Sequence, residues 1–143
     1  MPGKVVVGTD GSEASFEAVK WAAHEAIAHN AQLEVIHTWT IPAISDPMAM
    51  MPIQLPVEEF IKQAEAVSEH ALRVARDAGA TEVKGVVARG SAAEHLITAS
   101  KSALMVVVGT RGHGGFVGLL LGSVAQQVAT HSNCPVVVVP HRQ

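Results

Sequence analysis

Five short runs of β-branched residues alternate with helical patterns along the chain, and this alternation restricts the possible fold more than any other feature. The runs cover residues 4 to 8, 33 to 38, 82 to 88, 104 to 108 and 135 to 139. Those at 4 to 8, 104 to 108 and 135 to 139 contain continuous Val runs instead of alternating apolar and polar residues, which predicts strands buried on both faces of a parallel sheet. We therefore expect a doubly wound α/β fold, in which ligands bind at the carboxyl ends of the strands.

Four helices are predicted from apolar periodicity and from start and stop signals. The first spans about residues 12 to 29 and the second about 56 to 78, with Gly79 as its stop signal. Ser91-Ala92-Ala93-Glu94 is a capping box that opens the third helix, to about residue 101, and Ser123 opens the fourth, to about residue 131. The apolar stripes that should cover the sheet are Val19, Ala22, Ala23, Ala26 and Ile27 in the first helix, and Val57, Phe60, Ile61, Ala64, Val67, Ala71 and Ala75 in the second.

Composition excludes several classes of protein. The chain has 143 residues, of which 48% are hydrophobic, so we expect a single domain over residues 1–143 with one core. A net charge of −3 and 3% aromatic residues argue against nucleic acid as a partner. No run approaches the roughly 18 apolar residues of a membrane span, and we expect no signal peptide, because Lys4 leads directly into the strand-like Val5-Val6-Val7. We expect no membrane partner and a cytoplasmic location. Cys134 is the single cysteine, and the apolar strand that follows it suggests a buried thiol.

A glycine pattern lies between the fourth strand and the fourth helix. Gly109 ends the strand, and the glycines that follow permit positive φ angles and close approach of the backbone to an anion. The helix start at residues 122–124 directs unpaired N–H groups toward the same crevice, which would suit a phosphate. The glycines that we expect to form this crevice are Gly109, Gly112, Gly114, Gly115 and Gly122, while Gly118 lies within the apolar run 116–121.

Two common phosphate motifs do not fit this loop. No lysine follows any of the glycines, as a Walker P-loop requires, and Val117 stands where a dinucleotide motif would have its last glycine. The segment is therefore a different phosphate cradle, or it is only a tight connection between strand and helix. The apolar run 116–121 either folds over the sheet edge or covers a nucleotide or partner.

Charged residues near the same edge could bind a nucleotide. Asp10 closes the first strand and can contact a ribose or base edge or hold a divalent ion; alternatively, it forms an Asx turn or N-cap. If the first and fourth strands are neighbours, Asp10 and the glycine loop face each other. Arg111 either neutralises phosphate or is solvated, and His113 is a weaker candidate for the same role. The other histidines show no convergent spacing, and we expect no metal site.

Two further segments have unusual composition. Residues 40–56 are rich in Pro and Met, which predicts a mobile, partly apolar loop near the same rim. The last strand, Val136, Val137, Val138 and Val139, is flat and apolar and would invite pairing with another chain at the sheet edge. We therefore expect a two-fold dimer through this strand.

From Val5 to Pro140 the sequence resembles the universal stress protein family. The resemblance rests on Val-Gly-Thr-Asp-Gly-Ser at 7–12, on Gly-x2-Gly-x9-Gly-Ser at 109–123, and on the closing Ser-Asn-Cys-Pro-Val-Val-Val-Val-Pro. It implies a five-stranded parallel sheet in the order 3-2-1-4-5 with helices on both faces and a homodimer through the last strand. In the branch with this glycine pattern it also implies bound ATP, with or without magnesium.

The resemblance also implies which residues bind ATP. Asp10 corresponds to a ribose or base contact, and Thr38 lies where the backbone after the second strand meets adenine. Arg111 and His113 occupy positions at which the family varies widely. The full set of expected cofactor-binding residues is Gly8, Thr9, Asp10, Thr38, Val108, Gly109, Arg111, Gly112, His113, Gly114, Gly115, Gly122, Ser123 and Val124.

Three functional hypotheses follow. The leading one is an ATP-binding regulatory or stress-response module with slow or no hydrolysis, since no motif positions a general base. The second is a weak ATPase or phosphotransferase, in which Asp10 holds a metal and Ser123 is a phosphate ligand or acceptor. The third is a dimeric scaffold that binds no nucleotide, in which the glycines serve only the turn.

Overall fold

The computed structural model describes residues 3–41, 56–110 and 121–141. Strands and helices alternate in the order β1 (Lys4–Gly8), α1 (Glu13–Ala28), β2 (Gln32–Trp39), α2 (Val57–Asp77), β3 (Val83–Arg89), α3 (Ala92–Ser100), β4 (Met105–Gly109), α4 (Ser123–His131) and β5 (Val136–Val139). Each predicted element is present, with its ends within one residue of the predicted bounds. Among the described helices, none is both long and apolar enough to cross a bilayer.

The five strands form one parallel sheet in the order β3-β2-β1-β4-β5, which confirms the predicted fold. From β1 the chain proceeds outward through β2 to β3 and then crosses back to β4 on the other side of β1. Val7 pairs with Val35 of β2 and with Val107 of β4. The strand order therefore reverses between β1 and β4, and a crevice at their carboxyl ends is the expected ligand position in this architecture.

Helices cover both faces of the sheet, each over its own apolar cluster. On the first face, α1 and α2 pack on Val5, Val7 and Val35, and the helix residues in contact are mostly alanines: Ala18, Ala22, Ala23, Ala26, Ala71 and Ala75. On the second face, α3 and α4 contribute Leu96, Ala125 and Val128 against strand valines such as Val106. Val and Ala side chains are short, so the helices lie close to the sheet and bury the middle residues of the central strands, Val5 to Val7 and Val106 to Val108.

Three sequence-based burial predictions were wrong in detail. Ile27 is 50% exposed because the buried row of α1 ends at Ala26 and the last turn of the helix extends past it. Val57 is 38% exposed because it begins α2 two turns before Ala64, the first residue of that helix to be buried. Cys134 is half-buried, not buried, because it precedes the edge strand β5, whose valines are themselves only partly covered.

Two loop predictions fall largely outside the described residues. Most of the Pro- and Met-rich segment, residues 42–55, and most of the apolar run, residues 116–120, lie there. The glycine loop between Thr110 and Leu121 lies there as well. What the structure does describe is the two ends of that loop, where β4 stops and α4 begins.

Candidate functional site

The β1–α1 loop is held by a chain of side-chain hydrogen bonds at the carboxyl end of β1. The backbone N–H and the hydroxyl of Ser12 both donate to Asp10 Oδ1, over 2.9 Å and 2.5 Å. The Asx turn predicted for Asp10 is therefore present. The N-cap of α1 is Ser12 and not Asp10, because the Ser12 hydroxyl accepts from the N–H of Ser15. The carboxylate of Asp10 is thus fixed to the loop, while Ser12 caps α1.

Thr9 anchors the same loop to the sheet and to α1. Its N–H donates to Ile36 O of β2 over 3.0 Å, which continues the β1–β2 ladder by one residue. Its hydroxyl accepts from the N–H of Gly11 and lies 2.7 Å from the Ser15 hydroxyl, which in turn donates to Ser12 O. Thr9 and Ser15 are both buried, so these bonds operate away from water, where leaving a partner unsatisfied is costly.

His37 of β2 completes this network from the neighbouring strand. Its Nδ1 lies 2.8 Å from Thr9 O, and the residue is only 9% exposed. The carbonyl oxygen can only accept, so Nδ1 carries the proton and donates it. The β1–β2 register, in which Gly8 lies opposite Ile36, places His37 beside Thr9.

The end of β4 and the start of α4 meet beside this loop. Gly122 N donates to Thr110 O over 2.6 Å, so the chain returns to the end of β4 before α4 begins at Ser123. Thr110 is fixed in turn by its N–H, which donates to Val139 O. Since Val7 and Val107 are register partners, Asp10 and Thr110 each follow a paired residue by three positions on adjacent strands.

The N-terminus of α4 differs from the other helix starts in the described part of the chain. Glu13, Glu58, Glu59 and Glu94 lie in the first turns of α1, α2 and α3, whereas the first turn of α4 contains no acidic residue. Its N-cap, Gly122, offers no side-chain acceptor. The first-turn N–H groups and the positive end of the helix dipole therefore favour an external anion.

The carboxyl ends of β2 and β3 carry an aromatic and a cationic side chain. Thr38 and Trp39 end β2, and Trp39 is the register partner of Arg89 in β3. The Arg89 guanidinium lies 5.6 Å from the centre of the Trp39 ring, within range of a cation–π interaction. The Arg89 carbonyl lies 3.1 Å from His95 Nε2 of α3.

The structure brings together, at one edge of the sheet, the described members of the predicted binding set. Gly8 ends β1 and is followed by Thr9 and Asp10, Thr38 lies near the end of β2, Val108 and Gly109 end β4, and Gly122 caps α4, which begins with Ser123 and Val124. The remaining predicted residues, Arg111, Gly112, His113, Gly114 and Gly115, lie outside the described residues. No grouping of three or more His, Cys, Asp and Glu side chains that could hold a metal occurs in residues 3–41, 56–110 and 121–141.

Sequence reasoning missed three contributors to this edge. His37 was one of several histidines without convergent spacing, and Ser15 and the Trp39–Arg89 pair were not singled out. The signal for His37 was its position directly after the apolar residues Val35 and Ile36 of a predicted buried strand, where a polar side chain needs a partner. The partner could be identified only from the β1–β2 register, because it lies 28 residues away along the chain.

Comparison with known proteins identifies the family. The family model described as "Universal stress protein family" matches residues 1–140. A universal stress protein of Mycolicibacterium smegmatis is 39% identical over 140 residues, which cover 94% of this chain and 47% of the relative. The chain thus spans about half the length of the curated relatives it matches.

Solved structures share the fold over nearly the whole chain. A universal stress protein crystallised in complex with cAMP has a TM-score of 0.74 and 31% identity, with 98% of each chain covered. The universal stress protein UspA of Lactobacillus plantarum has a TM-score of 0.79 and 20% identity, with 96% of this chain and 97% of that one covered. The second likeness shows the fold alone, whereas the first concerns a protein that binds an adenine nucleotide.

Proposed function

This chain belongs to the universal stress protein family, and from that premise we propose that it is a cytoplasmic, ATP-binding regulatory module. The nucleotide would lie across the carboxyl ends of β1 and β4. Asp10 would contact the ribose or base, the backbone near Thr38 would meet adenine, and the N-terminus of α4 would receive phosphate. Response to stress would then depend on whether the nucleotide is bound.

One observation carries the proposal. The Gly122 N–H bond to Thr110 O places the acid-free start of α4 beside the end of β4, on the strand adjacent to the Asp10 loop. A carboxylate suited to a ribose and a helix start suited to phosphate thus occupy the point where the strand order reverses. The relative that binds cAMP supports the same ligand class, since cAMP combines adenine, ribose and phosphate.

We propose binding with slow or no turnover. The carboxylate described at the end of β1 already has structural partners, because Asp10 Oδ1 accepts two hydrogen bonds from Ser12. A general base has to reach the attacking nucleophile, and these contacts hold that oxygen of Asp10 in the loop instead. Magnesium would be held mainly by the phosphates, with Asp10 as the candidate protein ligand.

The test is calorimetric titration of the protein with ATP, with and without magnesium, for wild type, Ser123→Glu and Gln127→Glu. Both side chains are exposed on α4, and both changes add one negative charge. Glutamate at position 123 lies in the first turn, so it should stabilise the helix while it repels phosphate. We expect a loss of ATP affinity on the order of tenfold or more for Ser123→Glu, and little change for Gln127→Glu.

Two results would contradict the proposal. One is a wild-type protein that gives no heat and no thermal shift with ATP. The other is a Ser123→Glu variant that binds ATP as tightly as wild type. ADP release under multiple-turnover conditions would instead favour the weak ATPase.

We also propose that two copies of the chain pair through β5. Within the described residues, β5 pairs only with β4, and its four valines carry no charge. The opposite edge strand, β3, carries the exposed cations Lys84 and Arg89, which discourage such pairing.

The direction of the β5 backbone groups defines which of them would meet a second copy. Val106 N bonds to Pro135 O and Thr110 N bonds to Val139 O, so positions 135, 137 and 139 face β4. The N–H and C=O groups of Val136 and Val138 therefore point outward, toward the free edge.

A further inference from the structure

We infer that His37 is a positioning residue for nucleotide binding, which acts by fixing the peptide group between Thr9 and Asp10. This inference rests on the ATP-binding function proposed above and extends it to a side chain outside the predicted binding set. His37 would touch no part of the nucleotide. It would hold the backbone from which Asp10 is presented.

The geometry restricts this role to one atom of the ring. His37 Nδ1 lies 2.8 Å from Thr9 O, the carbonyl that belongs to the peptide group leading into Asp10. Thr9 is thereby held by hydrogen bonds at its N–H and its carbonyl to β2 and at its hydroxyl to α1. A peptide group fixed in this way cannot rotate freely, so the starting direction of the Asp10 side chain is defined.

The surroundings of the His37 ring keep this hydrogen bond in place and make its loss costly. His37 is buried in β2 beside Val35 and Ile36, so its ring has little freedom to adopt another rotamer. Loss of the bond would leave Thr9 O without this donor at a buried position. The Thr9–Asp10 peptide would then sample several orientations, and ATP would have to select one of them when it binds.

When the His37 ring is neutral, the bond also requires its one proton to be on Nδ1, which is the less common of the two tautomers. A carbonyl oxygen accepts but never donates, so the proton lies on Nδ1 and the neutral ring has Nε2 as an acceptor. An asparagine amide nitrogen occupies nearly the position of Nδ1, whereas a glutamine amide nitrogen reaches about one bond further, to the position of Nε2. Substitution by asparagine or by glutamine therefore distinguishes two explanations. If Nδ1 is the atom that matters, only asparagine should replace His37; if any polar side chain suffices, both should.

The experiment titrates ATP into wild type, His37→Asn, His37→Gln and His37→Phe, with thermal unfolding of each variant as a control for folding. We expect His37→Asn to retain affinity within about twofold, because it restores the donor to Thr9 O. We expect His37→Gln and His37→Phe to lose about three- to tenfold, which corresponds to the net contribution of one hydrogen bond. Equal affinity of wild type and His37→Phe, or better binding by His37→Gln than by His37→Asn, would overturn the inference.

A second measurement uses the wild-type protein alone, without nucleotide, and so does not depend on the folding of any variant. Nitrogen-15 NMR of the imidazole should show a protonated Nδ1 and an unprotonated Nε2 at a pH where the ring is neutral. The opposite tautomer would overturn the inference. Wild type that binds no ATP would overturn this inference together with the proposed function, whereas wild type that binds ATP as tightly as His37→Phe would overturn only the role of His37.

Discussion

Substitution of Gly8 by alanine should destabilise the fold, because a Cβ at this position would meet a leucine that cannot move away. The added Cβ would lie 2.8 Å from Cδ1 and 3.3 Å from Cδ2 of Leu96 on α3. Leu96 is 1% exposed and is surrounded by Ala93, Val106 and their neighbours in the second apolar cluster. Either α3 or the end of β1 must therefore shift.

The magnitude follows from two opposing effects. Overpacking of a well-filled core costs about 1–3 kcal/mol. Loss of backbone freedom in the unfolded chain offsets about 0.4–1 kcal/mol of that when alanine replaces glycine. The expected decrease in the free energy of unfolding is about 1–2 kcal/mol, or roughly 2–8 °C in Tm for a chain of this size.

Gly3→Ala is the matched control in urea denaturation of the two variants. Its Cβ would lie 2.9 Å from Cγ of Leu104, within 0.1 Å of the 2.8 Å contact at Gly8. Leu104, however, is 42% exposed and can rotate into solvent. We expect Gly3→Ala to be neutral or slightly stabilising, since only the effect on the unfolded chain remains.

A double-mutant cycle tests the assigned contact directly. In a Leu96→Ala background the space occupied by the leucine methyls is vacant, so Gly8→Ala should cost little there. The coupling free energy between the two positions should be about 1 kcal/mol or more. Equal losses for Gly8→Ala and Gly3→Ala, or strictly additive losses in the cycle, would refute the reasoning.

Two further predictions concern the edge strand β5 and Cys134, which lies just before it. If two copies pair through β5 as proposed, Val138→Pro should yield a monomer in analytical ultracentrifugation, because it removes an outward N–H and leaves the β4 ladder intact. A monomeric wild type, or a variant that remains dimeric, would count against pairing through β5. Burial raises the pKa of the Cys134 thiol, so its alkylation by iodoacetamide should increase at higher pH in folded protein than in urea-unfolded protein. The chain has one cysteine, so the rate reports only this thiol, and a folded profile at the same or lower pH would contradict the assignment.

The sequence allowed the layout of the fold to be predicted because its signals are local. Continuous valine runs predict buried parallel strands, and Ser91 predicts a helix start that its hydroxyl does cap, by accepting from the N–H of Glu94. The strand order came from the family resemblance, and the sheet confirms it. Burial at element ends could not be predicted, because the exposure of Ile27 and Val57 depends on where each helix extends past the residues it covers.

Much less of the candidate site could be predicted. Asp10 was a visible candidate because it follows a strand, but whether it capped α1 or formed a turn depended on competition with Ser12. The contact between His37 and Thr9 and the stacking of Arg89 on Trp39 both depend on strand register, and register is a property of the assembled sheet. The assignment of the whole predicted set to nucleotide binding, from Gly8 to Val124, stays a prediction.

The alanine-rich contact between α1 and the sheet affects how the core settles during folding. Alanine has no side-chain rotamers to lose, and valine has few, so ordering this layer costs little side-chain entropy. Four alanines of α1, Ala18, Ala22, Ala23 and Ala26, meet valines that are equally restricted. These side chains have few alternative arrangements. The layer between α1 and the sheet should therefore reach its native packing directly during folding, without passing through other ways of fitting the side chains together.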